Sequence, residues 1–397
     1  LSRDWNRYLE DIAQANVLIN GVEQLKESGQ ISDTEYHSYK AQGEIFRALM
    51  MFRMARLWGS FPVITTIAKT ITSDNINEVY PTYYPPRKSP KECYEQIIAD
   101  LTDAEKYAPD NDNSDRTKMT KTVAQAMLAK VYAEKEVQDY DKVITYADKV
   151  IKTKGVELED SYETLWGYDE TTKDCLKRNT KEGILEVHWT TGGGNWETWM
   201  FGRQLDNWDF YFTWAKWITP SRDIIRDFEK EGDEIRKNQA IVYYACTWSN
   251  YYPASHYPFM YKLRSSYSNI YWIRLADIIL MKAEAEAYKG NLDESAKLVN
   301  QIRKRAKLKE LTSDKTNSKE AMIEAVLHER RLELAFEGER WFDLCRNNKV
   351  EKYLNGIDNR DNGRIKQVKQ FDSNSYLLPI PQTALDQNTN LEQNPGY

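Results

Sequence analysis

Apolar residues recur at three- and four-residue steps over long stretches of this chain, which is the spacing of one face of an α-helix. Near the start, Trp5, Ile12 and Ile19 lie on such a face. A longer helix is predicted from about residue 36 to residue 58, and Gly59 ends it. This periodicity predicts an all-α fold class for most of the chain.

A capping box marks the start of a further helix. In Ser89-Pro90-Lys91-Glu92, the serine hydroxyl and the glutamate carboxylate are spaced to satisfy each other's free backbone N–H groups. Proline suits the first helical position because its missing N–H would have no partner there. The predicted helix runs from this box to Pro109.

Two pairs of predicted helices are joined by sharp turns, one at Asp139 and the other at Gly290. This arrangement is typical of tetratricopeptide repeats, although any antiparallel helix hairpin shows a similar pattern. The pairs are residues 122–136 with 140–152 and residues 271–289 with 293–306.

Helical periodicity fades in the middle of the chain, where Trp, Tyr, Gly and Thr dominate and residues 184–187 predict a short strand. We therefore expect a tetratricopeptide-like scaffold that carries an irregular, aromatic-rich ligand-binding region, all in one integrated domain. The expected parts are residues 1–155 (N-terminal scaffold), 156–270 (ligand-binding region) and 271–397 (C-terminal helix pair, charged helix and tail).

Charge and hydropathy exclude two classes of function. The chain has 55 Lys and Arg against 61 Asp and Glu, a net charge of −6, so it is not a generally basic, phosphate-tracking protein. Residues 189–217 contain only Arg203 and Lys216 as cations, which disfavours a nucleic-acid partner there. No apolar run approaches the roughly 20 residues of a membrane-spanning helix.

The motifs of common catalytic, metal and nucleotide sites are missing, and no cofactor or metal is expected. The segment from Asp110 begins like a calcium loop, but its sixth position is Asp115 instead of Gly and its twelfth is Lys121 instead of Glu. In the charged run 329–340, carboxylates alternate with arginines. We interpret it as ion pairing along one helix and not as a catalytic carboxylate pair.

Aromatic residues are the informative feature for function. Six tryptophans lie between residues 189 and 217, and flat rings match the C–H faces of sugars, while nearby amides and carboxylates bind hydroxyls. Trp196 and Trp199, with Asn195 and Glu197 beside them, are the predicted platform. Trp189 and Tyr252 are weaker candidates. The alternative is that these rings fill a core built from irregular loops.

Several scaffold segments resemble the SusD/RagB family of outer-membrane nutrient-binding lipoproteins of Bacteroidetes, in order and over nearly the whole chain. The matching segments are 43–63 (GEIFRALMMFRMARLWGSFPV), 94–109, 116–132, 273–285 (IRLADIILMKAEA), 329–344 (ERRLELAFEGERWFDL), 378–381 (LPIP) and 393–397 (QNPGY).

The resemblance implies a non-enzymatic protein on the cell-surface side of the outer membrane. Such a protein captures oligosaccharides or polysaccharides and passes them to a SusC-type TonB-dependent transporter. It also implies an N-terminal lipid anchor, which is expected to lie outside this chain because none of the four cysteines matches the anchor residue. Family ligands are often gripped from the loop after the second helix, which adds Tyr83 and Tyr84 as candidates. The family motifs lie in the scaffold, so no binding residue is carried over by them.

Two alternatives stay open at this stage. A peptide-binding member of the same family would use the same scaffold and transporter. An α-helical glycoside hydrolase would need two carboxylates roughly 5–10 Å apart beside the aromatic platform. Its local candidates are Glu186, Glu197, Asp206 and Asp209.

Overall fold

A computed structural model describes residues 2–189, 196–202, 218–246, 252–357 and 369–397. Within these residues the chain is mostly helical, with short two-stranded sheets. The predicted all-α, tetratricopeptide-like class is confirmed.

The N-terminal part is a series of helices in which each packs on the next along the chain, apart from the short α3. Capping boxes at Ser32 and Ser89 start the second and fourth helices, and the one at Ser89 was predicted. A 3₁₀ turn, Tyr80–Tyr83, follows the third. The helices are α1 (Ser2–Glu27), α2 (Asp33–Trp58), α3 (Ile76–Val79), α4 (Pro90–Tyr107), α5 (Lys121–Tyr132) and α6 (Tyr140–Ile151).

Gly59 ends α2 in a backbone conformation that favours glycine. Its φ is +76°, and a Cβ there would lie 2.7 Å from Leu377 Cδ1. The close approach brings the C-terminal segment against the end of α2, where Leu378 N donates to the Leu57 carbonyl at 2.7 Å.

The middle part is more regular than the sequence predicted, because short helices and antiparallel hairpins alternate in it. β1 pairs with β2, and β4 pairs with β5. The elements are α7 (Tyr162–Trp166), β1 (Tyr168–Asp169), β2 (Asp174–Cys175), β3 (Gly183–Val187), α8 (Trp196–Phe201), α9 (Arg222–Glu231), α10 (Glu234–Ala240), β4 (Ile241–Tyr244) and β5 (Tyr257–Met260).

The C-terminal part begins with a strand, which corrects the prediction that a helix starts at residue 271. β6 pairs antiparallel with β3, and its Ile-Tyr-Trp-Ile run has the β-branched and aromatic residues that favour strands. The charged helix, which the sequence predicts for residues 318–337, ends at Glu333, and helices occur in the tail that the sequence predicts to be loop-like. The elements are β6 (Ile270–Arg274), α11 (Leu275–Lys289), α12 (Leu292–Arg305), α13 (Ser313–Thr316), α14 (Lys319–Glu333), α15 (Arg340–Arg346), α16 (Val350–Leu354), a 3₁₀ turn (Ser373–Tyr376) and α17 (Gln382–Gln387).

One large hydrophobic core joins the N-terminal and C-terminal helices, with residues from α2, α4, α5, α11 and α14 in a single cluster. α11 contacts α6 of the first helix pair as well as its own partner α12. The rings of β5 belong to a smaller second cluster in the middle part. In the described part of the chain, no helix has the length and apolar character needed to cross a membrane.

The charged run at the end of α14 is structural, but its ion pairs do not run along one helix as predicted. Glu329 accepts from Arg236 and Arg303 on other elements, at 2.6 and 3.0 Å. Glu333 pairs with Arg274 of β6 at 2.6 Å. These groups are fully buried or nearly so, and they join α10, β6, α12 and α14 in one network.

Candidate functional site

A cavity of about 810 Å³ lies between the N-terminal helices and the middle part. α1 and α2 line one side of it, and α7, α8, β5, β6, the segment between β5 and β6 and the turn after α14 line much of the remainder. Its size falls within the range of small-molecule sites. Among the described residues, the rings on its walls are those of Tyr8, Trp58, Trp166, Phe201, Tyr271, Trp272 and Phe336.

One wall combines a ring with a guanidinium group. Trp272 of β6 is half-buried, and the guanidinium carbon of Arg53 on α2 lies 5.4 Å from its ring centroid. Within the described part of the chain, Arg53 forms no salt bridge or hydrogen bond. Its N–H donors therefore stay available to a ligand, and the contact with the ring restricts their orientation.

A carboxylate and a phenol accompany this guanidinium. Glu197 of α8 is exposed at the cavity wall, yet the surrounding protein removes enough water to raise the pKa of its carboxyl group, against the attraction of Arg53. Burial raises the pKa of Tyr8 in the same way, and Arg53 again opposes it. We call Tyr8, Arg53, Glu197 and Trp272 the Arg53 wall. It offers a ring face together with hydrogen-bond donors and acceptors.

The inner wall of the cavity is formed by buried groups. Lys262 Nζ lies 4.8 Å from the centroid of Trp166 and donates to the Glu333 carbonyl at 3.0 Å and to Glu337 Oε1 at 2.6 Å. Burial lowers the pKa of Lys262 to about 8. The Trp166 ring also meets Tyr271 edge-on, with centroids 5.0 Å apart.

The predicted platform residues belong to a helix that borders this cavity. Trp196 and Trp199 lie in α8, whose Glu197 and Phe201 line the wall. The side chains of both tryptophans, and the whole of Asn195, are outside the described residues. Their contact with a ligand stays a prediction.

The weaker candidates Trp189 and Tyr252 do not line the cavity. Trp189 is half-buried, and its carbonyl accepts from Arg178 at 3.0 Å. Tyr252 is 8% exposed within the second hydrophobic cluster and donates its hydroxyl to the Pro220 carbonyl at 2.7 Å. This geometry gives Tyr252 a packing role, and a ligand role for either residue stays a prediction.

Tyr83 and Tyr84 line a second cleft of about 420 Å³ beside α1. Trp5, Asn6 and Leu9 of α1 belong to this cleft, whereas other side chains of the same helix line the large cavity. The two tyrosines are thus separated from the Arg53 wall. Their ligand role also stays a prediction.

Sequence reasoning missed Arg53, Trp166, Lys262 and Trp272. Trp272 was missed because its segment was predicted as a helix. The alternation of buried and half-buried residues in Ile270–Arg274 is typical of a strand. Arg53 carries no signal of its own, since an arginine inside a long amphipathic helix is ordinarily a solvent-facing residue.

Fold and cavity together define a tetratricopeptide-like helical scaffold that carries a ring-lined site. The chain belongs to the SusD family: the SusD family model matches residues 95–397, and a second model, described as "Starch-binding associating with outer membrane", matches residues 1–133. The resemblance found in the sequence is confirmed.

Individual relatives agree with this assignment. The chain is 26% identical to SusD-like protein P2 of Formosa agariphila, over 97% of this chain and 79% of the relative. A SusD superfamily structure from Parabacteroides distasonis is 25% identical and superposes with a TM-score of 0.79, over 99% of this chain and 85% of that one. A structure described as a laminarin-binding SusD-like protein superposes with a TM-score of 0.74 at 23% identity, over 100% of this chain and 86% of that one.

Proposed function

We propose that this protein binds oligosaccharides in the large cavity, with the Arg53 wall as the contact surface. The observation that carries the proposal is the half-buried Trp272 ring with the Arg53 guanidinium 5.4 Å from its centroid. A sugar presents an apolar C–H face for ring contact and a rim of hydroxyls for hydrogen bonding. Arg53 supplies donors to those hydroxyls, and Glu197 supplies acceptors.

Two findings among similar proteins support a carbohydrate ligand. One matching family model is described as starch-binding, and one similar structure is described as laminarin-binding. The same family description supports association with the outer membrane. We propose that the protein is held on the cell-surface side by an N-terminal lipid anchor and delivers its ligand to a SusC-type TonB-dependent transporter.

We propose binding without catalysis. Glycoside hydrolysis needs an acid and a second carboxylate across the scissile bond. Glu186, one candidate, is fully buried and accepts from Asn179 N, Thr180 N and Thr180 Oγ1, each at 2.9 Å. Asp206 and Asp209 are outside the described residues. Incubation with a bound oligosaccharide should release no product, and a new reducing end would overturn this part of the proposal.

The expected affinity is modest. Each ring contact contributes roughly 0.5–1.5 kcal/mol beyond its buried area, and association costs offset part of the total. We therefore expect a dissociation constant in the micromolar-to-millimolar range, which corresponds to a binding free energy of roughly 4–8 kcal/mol. Rapid release suits a protein that hands its ligand to a transporter.

Isothermal titration calorimetry against laminarin, starch and other polysaccharides, with peptides as a separate panel, tests the function. We expect at least one glycan to bind and Trp272→Ala to weaken it by at least ~1 kcal/mol, about fivefold. Arg53→Lys should also weaken glycan binding, because the ammonium group of lysine cannot reproduce the planar set of N–H donors of a guanidinium group. Thermal unfolding of each variant checks that it folds.

Two further variants separate the candidate surfaces. Trp196→Ala tests the platform predicted from sequence, and Tyr83→Ala tests the second cleft. Loss of binding in either of these, with Trp272→Ala unaffected, would move the site away from the Arg53 wall. Binding of peptides with no glycan binding would replace the proposed function by the peptide-binding alternative.

A further inference from the structure

The inner wall of the cavity has more hydrogen-bond donors than acceptors. The indole N–H of Trp166 is buried and has no acceptor in the described part of the chain. Lys262 uses two of its three N–H donors, on Glu333 and Glu337. The Glu337 carboxylate is already occupied, because Arg274 donates to both of its oxygens.

Buried hydrogen-bond donors without an acceptor lower the stability of the folded protein. A buried donor without an acceptor costs roughly 1–3 kcal/mol, which an arriving acceptor would recover. Trp166 is 5% exposed and lines the cavity together with Lys262, so both residues belong to the wall that a ligand would meet. Behind them, Arg236 Nη2 and Arg305 Nε are also buried without an acceptor among the described residues.

We propose that the cavity takes an acidic glycan, in which the carboxylate of a uronic acid residue accepts hydrogen bonds from Lys262 and Trp166. This inference rests on the proposed glycan-binding function and specifies its ligand class. A hydroxyl would bring another donor into a region already rich in donors, whereas a carboxylate only accepts. Charge-assisted bonds from an ammonium group are also the stronger kind.

Local charge is compatible with an added anion. Lys262 and Arg274 share the single carboxylate of Glu337, at 2.6 and 2.7 Å. The charged groups that act on Lys262 are therefore Glu337 from the turn after α14, Arg274 of β6 and Arg236 of α10. Arg274 and Arg236 are themselves paired with the buried carboxylates of Glu182, Glu329 and Glu333. Among the described residues, the Lys262 ammonium pairs with Glu337 alone, so a ligand carboxylate would supply it with a second anion.

Proton linkage provides a signature that a purely structural Lys262 would not show. Burial lowers the pKa of Lys262 to about 8, and Arg274 and Arg236 contribute. A bound carboxylate favours the charged form and raises that pKa, so binding near pH 8 takes up protons. Affinity for the acidic ligand should fall ~10-fold between pH 7 and pH 9, where unliganded Lys262 becomes neutral.

The experiment uses calorimetry with oligosaccharides of alginate, polygalacturonate and glucuronoxylan, each compared with its carboxyl-reduced form. We expect at least one acidic ligand to bind at least tenfold more tightly than its reduced partner. Trp166→Phe keeps a ring but removes the N–H donor, and it should weaken the acidic ligand about fivefold more than it weakens the reduced one. Trp341→Phe, which changes a tryptophan that does not line the cavity, is the control.

The outcomes separate this inference from the proposed function. Equal affinity for acidic and reduced ligands, with no proton uptake, would overturn the carboxylate assignment and leave glycan binding intact. Absence of binding to any glycan would overturn both. A sulfated oligosaccharide that binds while every uronate fails would replace the carboxylate by a sulfate ester.

Discussion

Glu44 of α2 is buried with one oxygen near Lys40, at 2.8 Å, while its second oxygen is buried without a hydrogen-bond partner in the described part of the chain. Burial raises the pKa of this carboxyl group to about 7, against the opposing effect of Lys40, and Asp100 and Asp103 add to the increase. The ionised form is therefore less favourable in the folded protein than in the unfolded chain.

The sign of the resulting pH dependence follows from this increase. The unfolded carboxyl group ionises near its ordinary pKa of 4.5, and the folded one near about 7. Between these values the folded state holds more protons, so wild-type stability falls as pH rises through this window. Glu44→Gln has no such ionisation and should gain about 1–2 kcal/mol over wild type between pH 5 and pH 8.

Urea denaturation of both proteins at pH 5 and pH 8 measures this difference in free energy of unfolding. Glu95→Gln, on an exposed side chain of α4, is the matched control and should show no pH-dependent difference. If Glu44→Gln changes stability by the same amount at both pH values, Glu44 ionises at an ordinary pKa.

At the residue scale, sequence reasoning singled out Glu197, which lines the cavity, but not Arg53, whose charge acts on it. Glu197 was found because it stands between two tryptophans, which is a local signal. Arg53 and Trp272 are 219 positions apart in the sequence, and they meet only because β6 packs beside α2. No local pattern contains that information.

At the element scale, the start of α4 depends on a few polar contacts. Glu92 N donates to Ser89 Oγ at 3.3 Å, and the Glu92 carboxylate accepts from Ser89 N at 2.9 Å. Ser89→Ala removes the first of these bonds and should cost about 1 kcal/mol, the usual value for a lost N-cap.

Thermal and urea unfolding measure this loss. Glu95→Ala lies further along the same helix, outside the cap, and should stay within ~0.5 kcal/mol of wild type. An equal effect of the two substitutions would mean that α4 is held by its packing against α2 and not by its cap.

Element boundaries show why a capped helix is easier to predict than β6. The capping box of α4 is contained in four adjacent residues, so its start was predicted correctly. β6 exists because β3, more than 80 positions earlier, supplies its hydrogen-bond partners, as in the pairing of Glu186 with Tyr271. Without that partner, the apolar run 270–273 is also compatible with the start of a buried helix.

At the scale of the whole molecule, the middle part is joined to the C-terminal part by buried charges as well as by the β3–β6 sheet. Glu182, next to β3, pairs with Arg274 at 2.7 Å and with Arg305, and its carbonyl accepts from Leu275 N at 2.9 Å. Burial alone would raise the pKa of Glu182, but Arg305 and Arg274 outweigh it and hold this pKa below its usual value. The ionised carboxylate thus connects the two parts.

This connection predicts that the chain unfolds as one cooperative unit, as expected for a single integrated domain. Far-UV circular dichroism reports mainly on the helices, and tryptophan fluorescence reports strongly on the tryptophan-rich middle part. If the chain unfolds as one unit, the two melting curves should coincide.

Glu182→Gln removes a negative charge that neutralises the buried guanidinium groups of Arg274 and Arg305, and it should lower the free energy of unfolding by about 3 kcal/mol. Both curves should shift together, whereas Glu170→Gln, on an exposed side chain, should shift neither. Two separated transitions in the wild type would instead show that the middle part folds as a unit of its own.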